Sequence, residues 1–147
     1  MRISQVLDQK GSRVEILWST NALRDAVKKL DERNIASVVI THPRGMALGI
    51  LTDRDIIRAL ARRGSLALDE PVSEAMRTPL PVCGRSDTVA DVLRYMTDKR
   101  FRHVVVKEDD RIVGLVSIGD LVKIRLDDAE LESKVLRERA LGQMALE

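Results

Sequence analysis

The sequence predicts a mixed α/β fold made of two repeats, each reading helix, strand, strand, helix behind a short extra strand. Three observations predict it. Sliding the chain by 66 residues lays TNALRDAVKKLDERNIASVVI (20–40) on SDTVADVLRYMTDKRFRHVVV (86–106). Within both segments apolar residues first recur at helical spacing and then form a β-branched run. Each copy closes on the same string, Gly-apolar-apolar-hydroxyl-x-x-Asp, at Gly49 to Asp55 and at Gly114 to Asp120.

Taken in order, the first repeat opens with an extended arm, Val14 to Ile16. Leu23, Ala26, Val27 and Leu30 stand at i, i+3, i+4 and i+7, which gives an amphipathic helix. Ser37 to Ile40 form a strand, a polar turn follows, and a second apolar run ends in GILT. The next helical pattern, DIIRAL at 55–60, stops at Gly64. The second repeat has its arm at Leu80 to Val82, a helix carrying Val89, Val92, Leu93 and Met96, and a strand from His103 to Val106. Its turn is one residue shorter, so the offset becomes 65 before GLVS and the closing helix DLVKIRL at 120–126. The division is therefore 1–64 for the first repeat, 65–77 for the connector, 78–126 for the second repeat and 127–147 for a charged helical tail. Three of the four prolines lie between Gly64 and Pro81. Neither repeat buries enough surface alone, so the two are expected to pack their sheets together. Leu131, Val135, Leu136 and Leu141 give the tail a thin apolar stripe, which suits either a solvated helix or a helix contact in a dimer.

Composition narrows the function. At 147 residues, 44% hydrophobic and 33% charged, the chain has the balance of a globular protein. Cys83 has no partner for an internal disulfide, and MRISQVLDQK carries no apolar run of a signal peptide, so a reducing cytoplasm is expected. No run approaches the roughly 18 apolar residues of a membrane span. Net charge is +2, and Trp18, Tyr95 and Phe101 are the whole aromatic set, too few for a base-stacking platform. Nucleic acid ranks low, resting only on Arg62, Arg63 and the Lys99 to Arg102 cluster. Catalysis is not expected: Cys83 has no histidine near it in sequence, His42 sits in a turn, and two histidines with one cysteine make no zinc site.

The closing strings carry the chemistry. Each stands where a strand hands over to a helix, where unpaired N–H groups and the helix dipole favour an anion. Thr52 or Ser117 can donate to a phosphate oxygen, and Asp55 or Asp120 can accept from a ribose diol. The same pattern is also a capping box that needs no ligand. Two matching copies, both with Asp where the box prefers Glu or Gln, favour binding.

These paired units, each ending in G-h-h-[ST]-x-x-D, resemble tandem CBS domains, and FRHVVVKEDDRIVGLVSIGDLVK is an especially close match. The resemblance runs from about Ile3 to Leu126. It implies a pseudo-twofold pair with two clefts between the repeats, assembled as a homodimer, binding AMP, ADP, ATP, S-adenosylmethionine or NAD(H) and reporting to an unidentified regulated protein. Carried over by position, Thr52 and Ser117 would meet phosphate and Asp55 and Asp120 the ribose, while Ser12, Val14, Thr78 and Leu80 would lie along the adenine. Arg100, Arg102 and His103 are expected to make one cleft the better phosphate site, and Arg54, beside Thr52, to add charge to the other. The competing reading is a ligand-free dimerisation module with vestigial clefts.

Overall fold

The computed structural model describes residues 1–146. Among the described residues six strands form two three-stranded sheets, accompanied by five α-helices. The first sheet is ordered β1(Ile16–Trp18), β2(Ser37–Thr41), β3(Ala47–Thr52), and the second β4(Val82–Gly84), β5(His103–Glu108), β6(Arg111–Ser117). In each, the first pair is parallel and the second antiparallel. Helices α2(Leu23–Arg33) and α4(Val89–Lys99) make the crossovers. Helices α3(Asp53–Arg63) and α5(Ile118–Leu146) close the repeats. The repeat is kept down to an irregularity in pairing after Ile40 and, 66 residues on, after Val106.

Both extra strands begin two residues later than expected. Val39 N donates to Glu15 O and Val105 N to Pro81 O, so the parallel ladders start at Ile16 and Val82. Val14 and Leu80 remain in the arms ahead of them. The closing helices start at Asp53 and Ile118, directly after their capping hydroxyls.

Two cores follow from the pattern. Leu23, Ala26 and Leu30 of α2 pack on Val38, Ile40 and Leu51, with Ile56 and Ala59 of α3. Val89, Val92 and Met96 pack on Val104, Val106 and Val116, with Leu121 and Ile124 of α5. Fully burying each valine, leucine, isoleucine or methionine among them is worth about 1.5–3 kcal/mol. Val39 and Val105 alternate with these residues and are just as buried on the opposite sheet face.

The segments ahead of each repeat are exchanged. Helix α1(Ile3–Lys10) precedes the first repeat, yet Ile3, Val6 and Leu7 lie in the second core. Ala67 and Val72, from the stretch expected to be a bare connector, lie in the first. Matching hydrogen bonds hold the two. Val89 N donates to Met1 O and Ile3 N to Asp87 O, both at 2.9 Å; Leu23 N donates to Glu70 O and Val72 N to Asn21 O, both at 2.8 Å. The division at residues 64 and 77 therefore follows the chain but not the cores. The signal was present in the sequence: ISQVL (3–7) matches VSEAM (72–76) at an offset of 69.

Beyond Leu126 the last helix runs on to Leu146, charged along its length and exposed from Ala129 to Gly142, and the final residue of the expected tail, Glu147, lies outside the described residues. No described helix is long and apolar enough to cross a membrane.

Candidate functional site: two unequal clefts between the repeats

Each closing string is a capping box. Thr52 Oγ1 accepts from Asp55 N at 3.3 Å, and Asp55 Oδ2 accepts from Thr52 N and Thr52 Oγ1, both at 3.0 Å. Ser117 Oγ accepts from Asp120 N at 3.0 Å, and Asp120 Oδ2 accepts from Ser117 N at 2.8 Å. These bonds satisfy first-turn donors of α3 and α5 and fix both carboxylates. The two aspartates then differ. Asp55 is only 3% exposed, and its other oxygen, Oδ1, has Arg58 Nη1 at 3.6 Å. Asp120 is half-buried and bound by Lys10 Nζ at 2.6 Å. Burial pushes the Asp120 carboxyl up, but the Lys10 ammonium and the Ser117 bonds outweigh it and hold it below the usual range.

The first cleft, about 530 Å³, joins the start of α3 to the end of α4 and the start of β5. Thr52, Asp53, Arg54 and Arg58 line it from the first repeat, and Arg100, Phe101, Arg102 and His103 from the second, with Arg77 between them. Among the described residues Arg54, Arg77, Arg100 and Arg102 have no carboxylate partner. Arg77 is steered by Nη1 donating to Arg100 O at 3.2 Å and by lying 5.6 Å from the Phe101 ring centre. Arg100 ends α4 in the left-handed conformation, φ 59°, where Asn34 ends α2 at φ 52°. Asparagine tolerates that geometry far better than arginine, so Arg100 holds its place at a cost of about 1 kcal/mol or more.

The second cleft, about 440 Å³, sets Ser117 and Asp120 against Asn34, Ile35, Ala36 and Ser37 and the arm from Lys10 to Glu15. Its cations all have carboxylate partners, though they outnumber them. Lys10 is on Asp120, while Glu15 meets Arg13 at 2.7 Å, Lys29 at 3.4 Å and Arg33 at 3.9 Å. Burial raises the Glu15 carboxyl, and these three cations override it and bring it below the usual range. His103 borders both clefts, with a buried Nδ1 that has no hydrogen-bond partner among the described residues. Burial lowers the His103 pKa, against the opposing pull of Asp53 and Asp120.

The two clefts differ in charge, and Arg54 lines the cleft of Arg100, Arg102 and His103 rather than the other. Each closing string faces the other repeat, so Arg54 and Thr52 share a cavity with Arg100, Arg102 and His103. Asp55 lines instead a third cavity of about 330 Å³, which shares Arg58 and Arg77 with the first and is lined also by Met76 and Thr78. Ser12 lines a separate cavity with Leu7 and Arg85, and Val14 and Leu80 line none of these. Arg58, Arg77 and Lys10 are the additions that sequence reading missed. Arg54 and Arg58 stand at i, i+4 on α3, a spacing legible in the chain; Arg77 and Lys10 reach the clefts only through the exchanged segments. Cys83 is buried, and desolvation with nearby Asp87 pushes its thiol up to about 12, the state of an inert packing residue. His42 is exposed and accepts from Arg44 N within its turn.

The CBS domain profile matches residues 12–62 and 72–127. An uncharacterised 17.7 kDa protein of Acidianus ambivalens is 30% identical, covering 86% of this chain and 74% of its own. The mitochondrial CBS domain-containing protein CBSX3 of Arabidopsis thaliana is 32% identical over 82% of this chain and 63% of that one. Among solved structures, the CBS-domain protein ATU1752 of Agrobacterium tumefaciens superposes with a TM-score of 0.82 at 37% identity, covering 84% of this chain and 92% of that one. A CBS domain protein of Pyrobaculum aerophilum, solved in complex with AMP, superposes with a TM-score of 0.72 at 27% identity, covering 82% and 89%.

Proposed function

The chain belongs to the CBS-domain family, and from that premise we propose that it is a non-catalytic regulatory module that binds an adenine nucleotide in the arginine-rich cleft and reports the occupied state to a partner protein. The observation that carries this reading is the convergence of four arginines without carboxylate partners on one cavity at the start of α3. Like charges gathered on one cavity repel one another, and a bound anion would relieve that repulsion. Arg54, Arg77, Arg100 and Arg102 would take the phosphates with Thr52. Asp55 Oδ1 would accept from the ribose, and the adjoining cavity with Met76 and Thr78 would hold the base. The AMP carried by the Pyrobaculum aerophilum protein supports the ligand class.

The charge of the first cleft favours more than one phosphate, whereas the cations of the second are held by Asp120 and Glu15 and are less free to take one. Calorimetric titration should therefore give one nucleotide per chain, with affinity in the order ATP, ADP, AMP and with NAD(H) and S-adenosylmethionine weaker. An Arg54→Ala/Arg102→Ala variant should lose that order and most of the affinity while melting close to wild type. A second reading, a dimerisation module with vestigial clefts, is favoured by one observation: both aspartates are already engaged in capping boxes. No heat and no shift in melting temperature with any of the five ligands would establish it. At about 100 times its dissociation constant a true ligand adds about 2.7 kcal/mol, which melting resolves.

A further inference from the structure

Helix α5 leaves the body of the molecule at about Leu126, and every side chain from Ala129 to Gly142 is exposed. A helix of that length with nothing packed on it is marginal in water. Its exposed surface contains a row with alternating steps of four and three residues: Val122, Leu126, Ala129, Ser133, Leu136 and Ala140. Leu126 and Leu136 are 59% and 63% exposed. The row lies well round the helix from Leu121 and Ile124, which face the second core, so it points away from the body and leaves room for another helix.

We infer that this row is the seam of a parallel two-stranded coiled coil between α5 of two copies of the chain. The steps put Val122, Ala129 and Leu136 at d and Leu126, Ser133 and Ala140 at a. The residues beside the seam choose the partner and its direction. Arg125 and Glu132 fall at g, and Glu130 and Arg137 at e. In a parallel pair each g residue meets the e residue five positions on in the other chain, so Arg125 meets Glu130 and Glu132 meets Arg137, twice over by symmetry. In an antiparallel pair of the same seam, Glu130 would face Glu130 and Glu132 would face Glu132, with Arg and Lys opposed further out. Two copies side by side are thus favoured and two copies head to tail opposed. Ala129, Ser133 and Ala140 keep the helices close. The surface does not depend on nucleotide binding in the clefts.

The test is disulfide trapping in the full chain, in which Cys83 is buried. Leu136→Cys places a thiol on the seam, and Val135→Cys places one a residue away on the core-facing side. The Leu136→Cys variant should link two chains at least about tenfold faster than the Val135→Cys variant, the advantage that a fixed pair has over diffusional encounter. Adding Glu130→Arg to Leu136→Cys should slow the link severalfold, and adding Arg125→Glu as well should restore it. Circular dichroism of each variant guards against unfolding. Equal rates for the two single-thiol variants, or faster linking by Val135→Cys, would overturn the proposal. So would a mixture in which Leu126→Cys chains link to Leu136→Cys chains while Leu136→Cys chains do not link to each other.

Discussion

His103 Nδ1 is the one buried side-chain polar atom without a hydrogen-bond partner among the described residues, and His103 stands between the clefts. Its pKa is lowered first by burial, with Lys10 and Arg102 adding to the effect and Asp53 and Asp120 opposing it. A folded pKa below the unfolded value means that the unfolded chain binds the extra proton first. The contribution of neutral His103 is therefore complete above the unfolded value, near 6.5, and is lost as pH falls below it. Urea unfolding of wild type and His103→Gln from pH 8 to pH 5 should show the wild type losing more stability over that span; parallel curves would show that His103 does not titrate with folding. At this scale the sequence was readable where the chemistry is local. Thr52 with Asp55 and Ser117 with Asp120 bond across three residues, so their spacing announces them. The cleft served by Arg54 was not readable, because it depends on which repeat faces it.

The motif glycines act between elements. A Cβ on Gly49 would sit 2.5 Å from Arg77 O and 3.0 Å from Met76 Sδ, while one on Gly114 would sit 2.6 Å from Leu7 Cδ2. Leu7 and Met76 are equivalent residues of the two exchanged segments, so both glycines exist to let those segments close on β3 and β6. The obstacles differ in kind. Arg77 O is backbone, held by its neighbouring Arg77 N bond to Ile50 O at 2.8 Å, whereas a leucine side chain can turn. Gly49→Ala should cost about 2–3 kcal/mol and Gly114→Ala about 1 kcal/mol, within the usual range for overpacking. Chemical denaturation measures both, and equal losses would remove the backbone argument. Strands and crossover helices were legible because each keeps its own period. Helix α1 was not singled out, although Ile3, Val6 and Leu7 have helical spacing, because its apolar face is covered by residues some eighty to one hundred and twenty positions away.

At the scale of the whole molecule, the exchange decides how the protein unfolds. Two repeats joined by a linker would melt separately, and a nucleotide between them could do little more than draw them together. Here the first core lacks Ala67 and Val72 unless the 64–76 stretch folds back, and the second lacks Ile3, Val6 and Leu7 unless α1 crosses to it. Each of those three side chains is worth about 1.5–3 kcal/mol when buried, so their sum is comparable with the whole stability of a small domain. The units should then open together. Native-state hydrogen exchange should give the amides of Val38 to Ile40 and of Val104 to Val106 the same opening free energy, within about 0.5 kcal/mol, in one cooperative unit. Removing residues 1–10 should lower both sets together and not the second alone. A difference of more than about 1 kcal/mol between the sets in the intact chain would show independent repeats. A single transition has a consequence for signalling: a ligand held between units that cannot come apart separately acts on their relative setting, and shifts it only by its preference for one setting over another.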